Sequence, residues 1–221
     1  TNAINMPSIT AEEAPVLAPF VKLAQHLGAF VGQLTDEPIE AVNILYDGAV
    51  ADMNTGALNS ACIAGLMQAS NPEVNMVSAP VVAKERGIKV STTTQAKSGA
   101  FDSYVKLTVK TAKQERSIAG TVFSDKKPRF IQIKGINIDA EIGRNMVYTT
   151  NKDVPGIIGI LGSTLGKHDV NIAKFTLGRS DVGSDAIALL YVDQALSDVV
   201  VSELRATGKF EQIRPLVFDV A

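Results

Sequence analysis

A polar segment between two strand-like runs constrains the fold of this chain more than any other feature. The β-branched and aromatic residues 146–149 predict a short strand, which the polar loop 151–156 interrupts. Pro155 has a fixed φ and no amide proton, so it suits the first turn of a helix. We therefore expect a helix to start at about Pro155, with polar groups gathered at its N-terminus.

Apolar residues recur at helical spacing after this loop. They are Ile157, Leu161 and Leu165, with Ile158 beside them. Positions i, i+4 and i+8 share one side of a helix, so this spacing predicts a single buried face. Residues 170–177 then alternate between apolar and polar, which predicts a half-buried strand with Asn171 as the polar member of its apolar row.

The polar loop can interact with both charges of an amino acid. Asp153 supplies a carboxylate that attracts an ammonium group. The helix start supplies unpaired amide protons and the positive end of the helix dipole, which favour a carboxylate. Ordinary turn chemistry is the simpler interpretation of an isolated Asp-x-Pro-Gly sequence, so the surroundings of the loop must decide.

Those surroundings resemble a known module. The run Asn151-Lys-Asp-Val-Pro-Gly, the helix, and the later run Asp169-Val-Asn-Ile-Ala resemble the opening of an ACT domain, the βαββαβ module that binds amino acids. The stretch is most similar to the serine-binding ACT domain at the C-terminus of the D-3-phosphoglycerate dehydrogenases. We therefore expect residues 143–221 to form an ACT domain of the ferredoxin-like type.

The first part of the chain predicts a different architecture. Capping-box spacing at Thr10 predicts a helix that continues to residue 34, and Asn54 is the expected cap of a helix over residues 55–69. Strand-like runs follow these helices, so residues 1–142 predict an α/β domain with a mixed sheet. This domain resembles the intervening domain of the long-form phosphoglycerate dehydrogenases, also called the allosteric substrate-binding domain.

The resemblance implies an effector site and a role. Effector-binding residues fall on Asn151, Asp153 and Asn171, with residues 154–156 (Val154, Pro155 and Gly156) completing the loop. Relatives can carry His or Tyr at position 151. In the family, the residue matching Asn171 comes from the partner subunit, so L-serine bridges two subunits of a homo-oligomer. The chain is then a regulatory fragment acting in L-serine biosynthesis by feedback.

The same resemblance implies what belongs to the intact enzyme. NAD-dependent oxidation of phosphoglycerate requires catalytic and NAD-binding domains, and this sequence contains no Gly-x-Gly-x-x-Gly motif after a strand. We therefore predict no catalytic residue and no cofactor in this chain, and no dehydrogenase activity of the chain alone. Residues 1–8 would correspond to the last piece of the catalytic part.

Composition excludes several other classes of protein. The 221 residues carry a net charge of −2, so no broad basic surface for nucleic acid is expected. Cys62 is the single cysteine and the chain has two histidines, which argues against disulfides and cysteine-rich metal sites. Cys62 is expected to be a small core residue. No apolar run is expected to cross a membrane, and a cytoplasmic location fits.

Two alternatives and one further site stay open at this stage. The chain could be a regulatory subunit of an iron–sulfur L-serine dehydratase, although its single cysteine would leave the cluster to a partner. It could also be a stand-alone amino-acid-binding protein. A possible anion site for a phosphorylated effector rests on four basic residues near predicted element ends, Lys84, Arg86, Lys126 and Arg129.

Overall fold

The chain folds into two compact units. The computed structural model describes residues 13–181 and 183–220, and the units cover residues 1–134 and 135–221. The first unit has a mixed sheet with helices and the second has an antiparallel sheet with two helices, which confirms the predicted fold class.

In its described part, unit 1 combines three α-helices and a short 3-10 helix (Ala49–Asp52) with five strands that lie side by side in the order β2-β1-β3-β4-β5. β1 runs parallel to β2, and the other neighbours are antiparallel. The elements are α1 (Ala14–Leu34), β1 (Ile39–Gly48), α2 (Thr55–Gln68), α3 (Ala79–Glu85), β2 (Lys89–Gln95), β3 (Ser103–Thr111), β4 (Glu115–Val122) and β5 (Pro128–Ile133). Asn54 caps α2 as predicted, because its Oδ1 accepts a hydrogen bond of 3.1 Å from the Ala57 amide. The predicted cap Thr10 and residues 1–8 lie outside the described residues.

Glycines set the contact between α1 and α2. A Cβ atom added at Gly28 would lie 2.0 Å from the carbonyl oxygen of Cys62, and one added at Gly65 would lie 2.2 Å from that of Gln25. Only residues without a side chain allow two helix backbones to approach so closely. Cys62 is fully buried in this contact, and its burial raises the pKa of the thiol to about 12. The expectation that Cys62 is a core residue is confirmed.

The length of α1 corrects an expectation about membranes. By length and composition alone, this helix of 21 residues could cross a bilayer, although the sequence was expected to contain no such run. Half of its apolar stretch is buried, and it packs on α2, β4 and β5. Such packing is typical of a core helix.

Unit 2 has the predicted βαββαβ order. After β6 (Ile136–Glu141) come β7 (Asn145–Lys152), α4 (Ile157–Lys167), β8 (Ile172–Arg179), β9 (Asp185–Val192), α5 (Asp198–Ala206) and β10 (Gln212–Val217). The four-stranded sheet is antiparallel, in the order β10-β7-β9-β8. α4 and α5 bury their apolar sides on it, with Leu161, Leu165, Leu190 and Leu204 at the centre of the core. β6 lies against β8, where a Cβ added at Gly178 would come within 2.7 Å of Ile138.

Two predictions around α4 are corrected. β7 extends to Lys152, so Asn151 belongs to the strand rather than to the loop. The helix begins at Ile157, after a turn at residues 155–156. Ile158 was placed beside the buried face, but it is 54% exposed because the core of unit 2 receives only one narrow side of this helix.

The predicted alternation of β8 is wrong. The register of β8 against β9 shifts between Ile172 and Lys174, and this irregularity puts Ala173 out of the expected row. Ile172 and Phe175 pack on the core instead, and Leu177 is 49% exposed. Asn171 lies one residue before the strand rather than within it.

Candidate functional site

Asp153 lies directly after β7 and is held by the loop that joins β8 to β9. Its amide donates a hydrogen bond of 2.8 Å to the carbonyl oxygen of Ser184. Its side chain forms an ion pair with Arg179, where Nη1 donates to Oδ2 at 2.8 Å. The amide of Gly183 donates to the same oxygen at 3.3 Å. The predicted site residue is therefore fixed in place by contacts from a different hairpin.

The β8–β9 loop is shaped to make these contacts. Gly183 has a φ of +75°, a left-handed conformation that glycine adopts without strain. The hydroxyls of Ser180 and Ser184 are 2.7 Å apart, and the Asp181 amide donates to the Ser184 hydroxyl at 2.8 Å. These bonds order the loop and turn the Gly183 amide toward Asp153.

The charge of Asp153 is stabilised without being enclosed. Its hydrogen bond with Arg179, followed by that from the Gly183 amide, holds the pKa of the carboxyl below its usual range. All contacts from the described residues fall on Oδ2, and 27% of the side chain is exposed. Oδ1 of an ionised carboxylate is therefore available to a cation from solution.

The start of α4 lies three residues further along the chain. Gly156 occupies the N-cap position with a φ of +96°, and it supplies no side chain to cap the helix. Its carbonyl oxygen accepts the Ile160 amide at 3.0 Å, which leaves the amides of the first turn without helical acceptors. Val154 is 44% exposed and Pro155 is also exposed. This end of unit 2 thus offers an anionic oxygen and amide donors within one short loop.

Asn151 differs from Asp153 in its surroundings. Its side chain is buried, and its Nδ2 donates a hydrogen bond of 2.6 Å to the carbonyl oxygen of Lys152. The Lys152 side chain points to other partners, with an ion pair to Asp185 and a longer one of 3.7 Å to Glu211. The amide of Asn151 therefore supports the backbone next to the loop.

Asn171 lies at the other end of the four-stranded sheet. Lys152 pairs with Asp185 at the start of β9. Asn171 lies at the far end of that strand, where its Nδ2 donates a hydrogen bond of 2.7 Å to Asp193. Eight residues of antiparallel strand separate the two ends, which amounts to about 25 Å. One chain therefore does not bring Asn171 and Asp153 together.

Comparison with known proteins identifies the family. Residues 16–134 match the model of the D-3-phosphoglycerate dehydrogenase intervening domain. The chain belongs to the D-3-phosphoglycerate dehydrogenase family. It is 33% identical over 204 residues to D-3-phosphoglycerate dehydrogenase of Bacillus subtilis (strain 168), which covers 92% of this chain and 39% of that relative.

Two further relatives give the same picture. The D-3-phosphoglycerate dehydrogenase of Synechocystis is 36% identical over 205 residues, covering 92% of this chain and 37% of the relative. That of Methanocaldococcus jannaschii is 30% identical over 215 residues, covering 96% and 40%. The chain thus spans about two fifths of the length of these phosphoglycerate dehydrogenases.

The basic residues predicted for an anion site fall in two separate places of the family's intervening domain. Lys84 and Arg86 lie at the end of α3. Arg86 donates a hydrogen bond of 3.4 Å to the Ser70 hydroxyl and lines a cavity of about 470 Å³. Lys126 and Arg129 belong to the β4–β5 hairpin, and the Arg129 guanidinium lies 4.9 Å from the centre of the Phe123 ring. Three strands lie between β2 and β5, so the four side chains form no single cluster.

Sequence reasoning missed Arg179 and Gly183. Both lie more than twenty-five residues from Asp153, and only the pairing of β8 with β9 returns them to it. The available signal was a basic residue at the end of the predicted strand, followed by a Ser- and Gly-containing turn. Within residues 13–181 and 183–220, no cluster of three or more His, Cys, Asp or Glu side chains could hold a metal ion.

Proposed function

We propose that this chain is the regulatory region of a D-3-phosphoglycerate dehydrogenase, with the βαββαβ unit acting as an ACT domain. It binds L-serine as a feedback effector and pairs with other copies of itself. The chain contributes regulation to a cytoplasmic NAD-dependent oxidoreductase, whose catalytic and cofactor-binding parts lie elsewhere. Turnover of phosphoglycerate with NAD by this chain alone would contradict that division of roles.

The observation that carries the proposal is the arrangement around Asp153. Oδ2 is held by Arg179 and Gly183, whereas Oδ1 faces no hydrogen-bond donor among the described residues. The uncapped first turn of α4 follows in the same loop. An ammonium on Oδ1 and a carboxylate near donors at this end of the sheet are the two charges of a zwitterionic amino acid.

The edge of the sheet supports the proposed pairing of subunits. β8 is the last strand in the order β10-β7-β9-β8, and edge strands tend to pair. Two-fold pairing of β8 with a second β8 runs antiparallel, so the start of one strand lies beside the end of the other. This places Asn171 of the partner subunit near the Asp153 loop, in agreement with the role that the family resemblance implies.

Isothermal titration calorimetry with L-serine tests the proposal. Losing a charge-assisted hydrogen bond typically costs about 1.5–3 kcal/mol, so Asp153→Ala is expected to weaken binding roughly ten- to a hundredfold. Asn171→Ala is expected to weaken it in the same direction. Lys152→Ala is the matched control, because Lys152 is exposed and pairs with Asp185 rather than with the site. Equal affinities in all four proteins would place the effector site elsewhere.

Light scattering with and without L-serine tests the pairing. We expect an oligomer whose formation L-serine favours, because each bound ligand contacts two subunits. A monomer under both conditions would contradict pairing through β8.

A further inference from the structure

We propose that Arg179 binds the carboxylate of the amino acid whose ammonium lies on Asp153. The inference rests on the proposed effector site and adds a residue to it. The ligand class is therefore an α-amino acid with a free carboxylate, recognised by a paired carboxylate and guanidinium. The first-turn amides of α4 then supplement Arg179 rather than act alone.

The contacts of Arg179 leave most of its binding capacity unused. Nη1 donates to Asp153 Oδ2, and 56% of the side chain is exposed. A guanidinium has five N–H donors in a planar fork, which matches the two oxygens of a carboxylate. Among the described residues, its contact to Asp153 accounts for a single donor atom, so the fork can accept a second carboxylate.

The two side chains together carry charges complementary to those of a zwitterion. In an α-amino acid one carbon atom separates the ammonium from the carboxylate. The two groups that would bind these charges are close as well. Oδ1 of Asp153 and the remaining donors of the Arg179 guanidinium belong to side chains in direct contact. An isolated Asp153 would repel the ligand's carboxylate, whereas the adjacent positive charge offsets that repulsion.

The position of Arg179 on β8 extends the argument to the paired form. Arg179 is the last residue of β8, and Asn171 precedes the first. In an antiparallel pair of β8 strands, the end of one strand lies beside the start of the other. Arg179 then lies between the Asp153 loop of its own chain and Asn171 of the partner subunit, which is the position of a ligand that bridges the two.

Two other roles for Arg179 predict different effects of its removal. If Arg179 only blocked Asp153, an incoming ammonium would have to displace it, and removal of Arg179 would strengthen binding. If Arg179 only held the Asp153 side chain in place, its removal would weaken every ligand with an ammonium equally. Binding of the ligand's carboxylate is the role that makes the effect depend on that carboxylate.

Calorimetry with two ligands separates these roles. At about pH 6, below the pKa of about 7.7–8 of an α-amino group beside an amide, L-serine and L-serinamide share the ammonium and the hydroxyl, but the amide of L-serinamide carries no negative charge. We expect Arg179→Gln to weaken L-serine about ten- to a hundredfold and to change the affinity for L-serinamide by less than about threefold. Arg144→Gln is the matched control, because Arg144 is exposed and precedes β7, which β9 separates from β8 in the sheet.

Each outcome decides the inference. Tighter binding of L-serine by Arg179→Gln, equal weakening of both ligands, or no change would each overturn it. If wild type binds L-serine but not L-serinamide, Arg179→Lys decides: partial recovery of L-serine affinity relative to Arg179→Gln supports the inference, and no recovery overturns it. Absence of L-serine binding by the wild type would instead defeat the proposed function itself.

Discussion

Two aspartates at the ends of strands show how the two units use the same device differently. Asp47 lies near the end of β1 in unit 1, and Asp153 directly follows β7 in unit 2. Asp47 is fully buried: its Oδ1 accepts the Ser98 amide at 3.2 Å, and its Oδ2 accepts Gln95 at 2.6 Å and the Ser98 hydroxyl. Among the described residues, Asp153 receives hydrogen bonds on Oδ2 alone, which leaves Oδ1 open.

The comparison teaches that occupancy of both oxygens separates a structural carboxylate from a candidate binding group. Burial raises the pKa of Asp47, but the hydrogen bonds from Ser98 and Gln95 outweigh it, so the pKa lies below the usual range. For Asp153, the hydrogen bond with the exposed Arg179 is the largest cause of the lowered pKa. The low pKa is common to both, so the open oxygen and the partial exposure of its side chain distinguish Asp153.

The largest expected effect compares the closed packing of unit 1 with the open helix surface of unit 2. Gly28→Ala places a methyl group 2.0 Å from a backbone carbonyl oxygen, so α1 and α2 must separate. We expect it to lower the free energy of unfolding by about 1–3 kcal/mol or more. Gly162→Ala on α4 meets no atom within 4 Å and should instead raise it by about 0.5–1 kcal/mol. Urea denaturation of both variants gives the two signs, and equal signs would contradict the contrast.

The next largest effect comes from making the same substitution at each of the two aspartates. Asp153→Asn should weaken L-serine roughly ten- to a hundredfold, because a neutral amide no longer attracts the ammonium. Asp47→Asn should leave L-serine affinity unchanged and lower the urea midpoint, because its amide cannot accept all the bonds from Ser98 and Gln95. A loss of serine binding in Asp47→Asn would show that the two units are not independent in this respect.

A smaller effect concerns pH. Both carboxyls have lowered pKa values, so their stabilisation is complete above the usual Asp range near 4 and is lost as the pH falls through the lowered values. We expect unfolding free energy measured from pH 6 down to about 2 to decline less in Asp47→Asn than in wild type. Serine affinity of the wild type should hold down to about pH 4, since Asp153 stays ionised. A decline beginning near pH 6 would assign the dependence to other groups.

The smallest expected effect lies on the surface of unit 2. Glu203 on α5 contacts His168 at 2.6 Å and Lys167 at 2.9 Å, and these contacts lower the pKa of its carboxyl. Because exposed ion pairs contribute little, Glu203→Gln should lower the melting temperature only slightly at pH 6 and not at all at pH 2. A large loss would contradict the small contribution expected of an exposed ion pair.

The sequence predicted most elements because their signals are local. The bounds of β9 and α5 follow from local signals, since a run of β-branched and aliphatic residues and a Ser197 cap define them without tertiary help. The face of β8 was wrong because a bulge depends on the partner strand. Asn151 was placed in the loop because the strand-like run ends at residue 149, whereas the pairing of β7 with β9 continues to Lys152.

Only part of the candidate site could be predicted from the sequence, for a related reason. Asp153 and the helix start are neighbours along the chain, so the sequence shows them together. Arg179 and Gly183 reach Asp153 through the β8–β9 hairpin. The glycine contact between α1 and α2 is likewise a matter of distance between helices, which the apolar spacing of either helix does not encode.

Under the proposed function, the separation of Asp153 and Asn171 by the length of a strand would make effector binding depend on how much protein is present. A complete site requires two chains, so under the proposed pairing dilution would remove binding capacity as effectively as removal of serine. Apparent affinity would then rise with the total concentration of chains, until pairing is saturated. A feedback loop built in this way responds to the abundance of its own enzyme as well as to its end product.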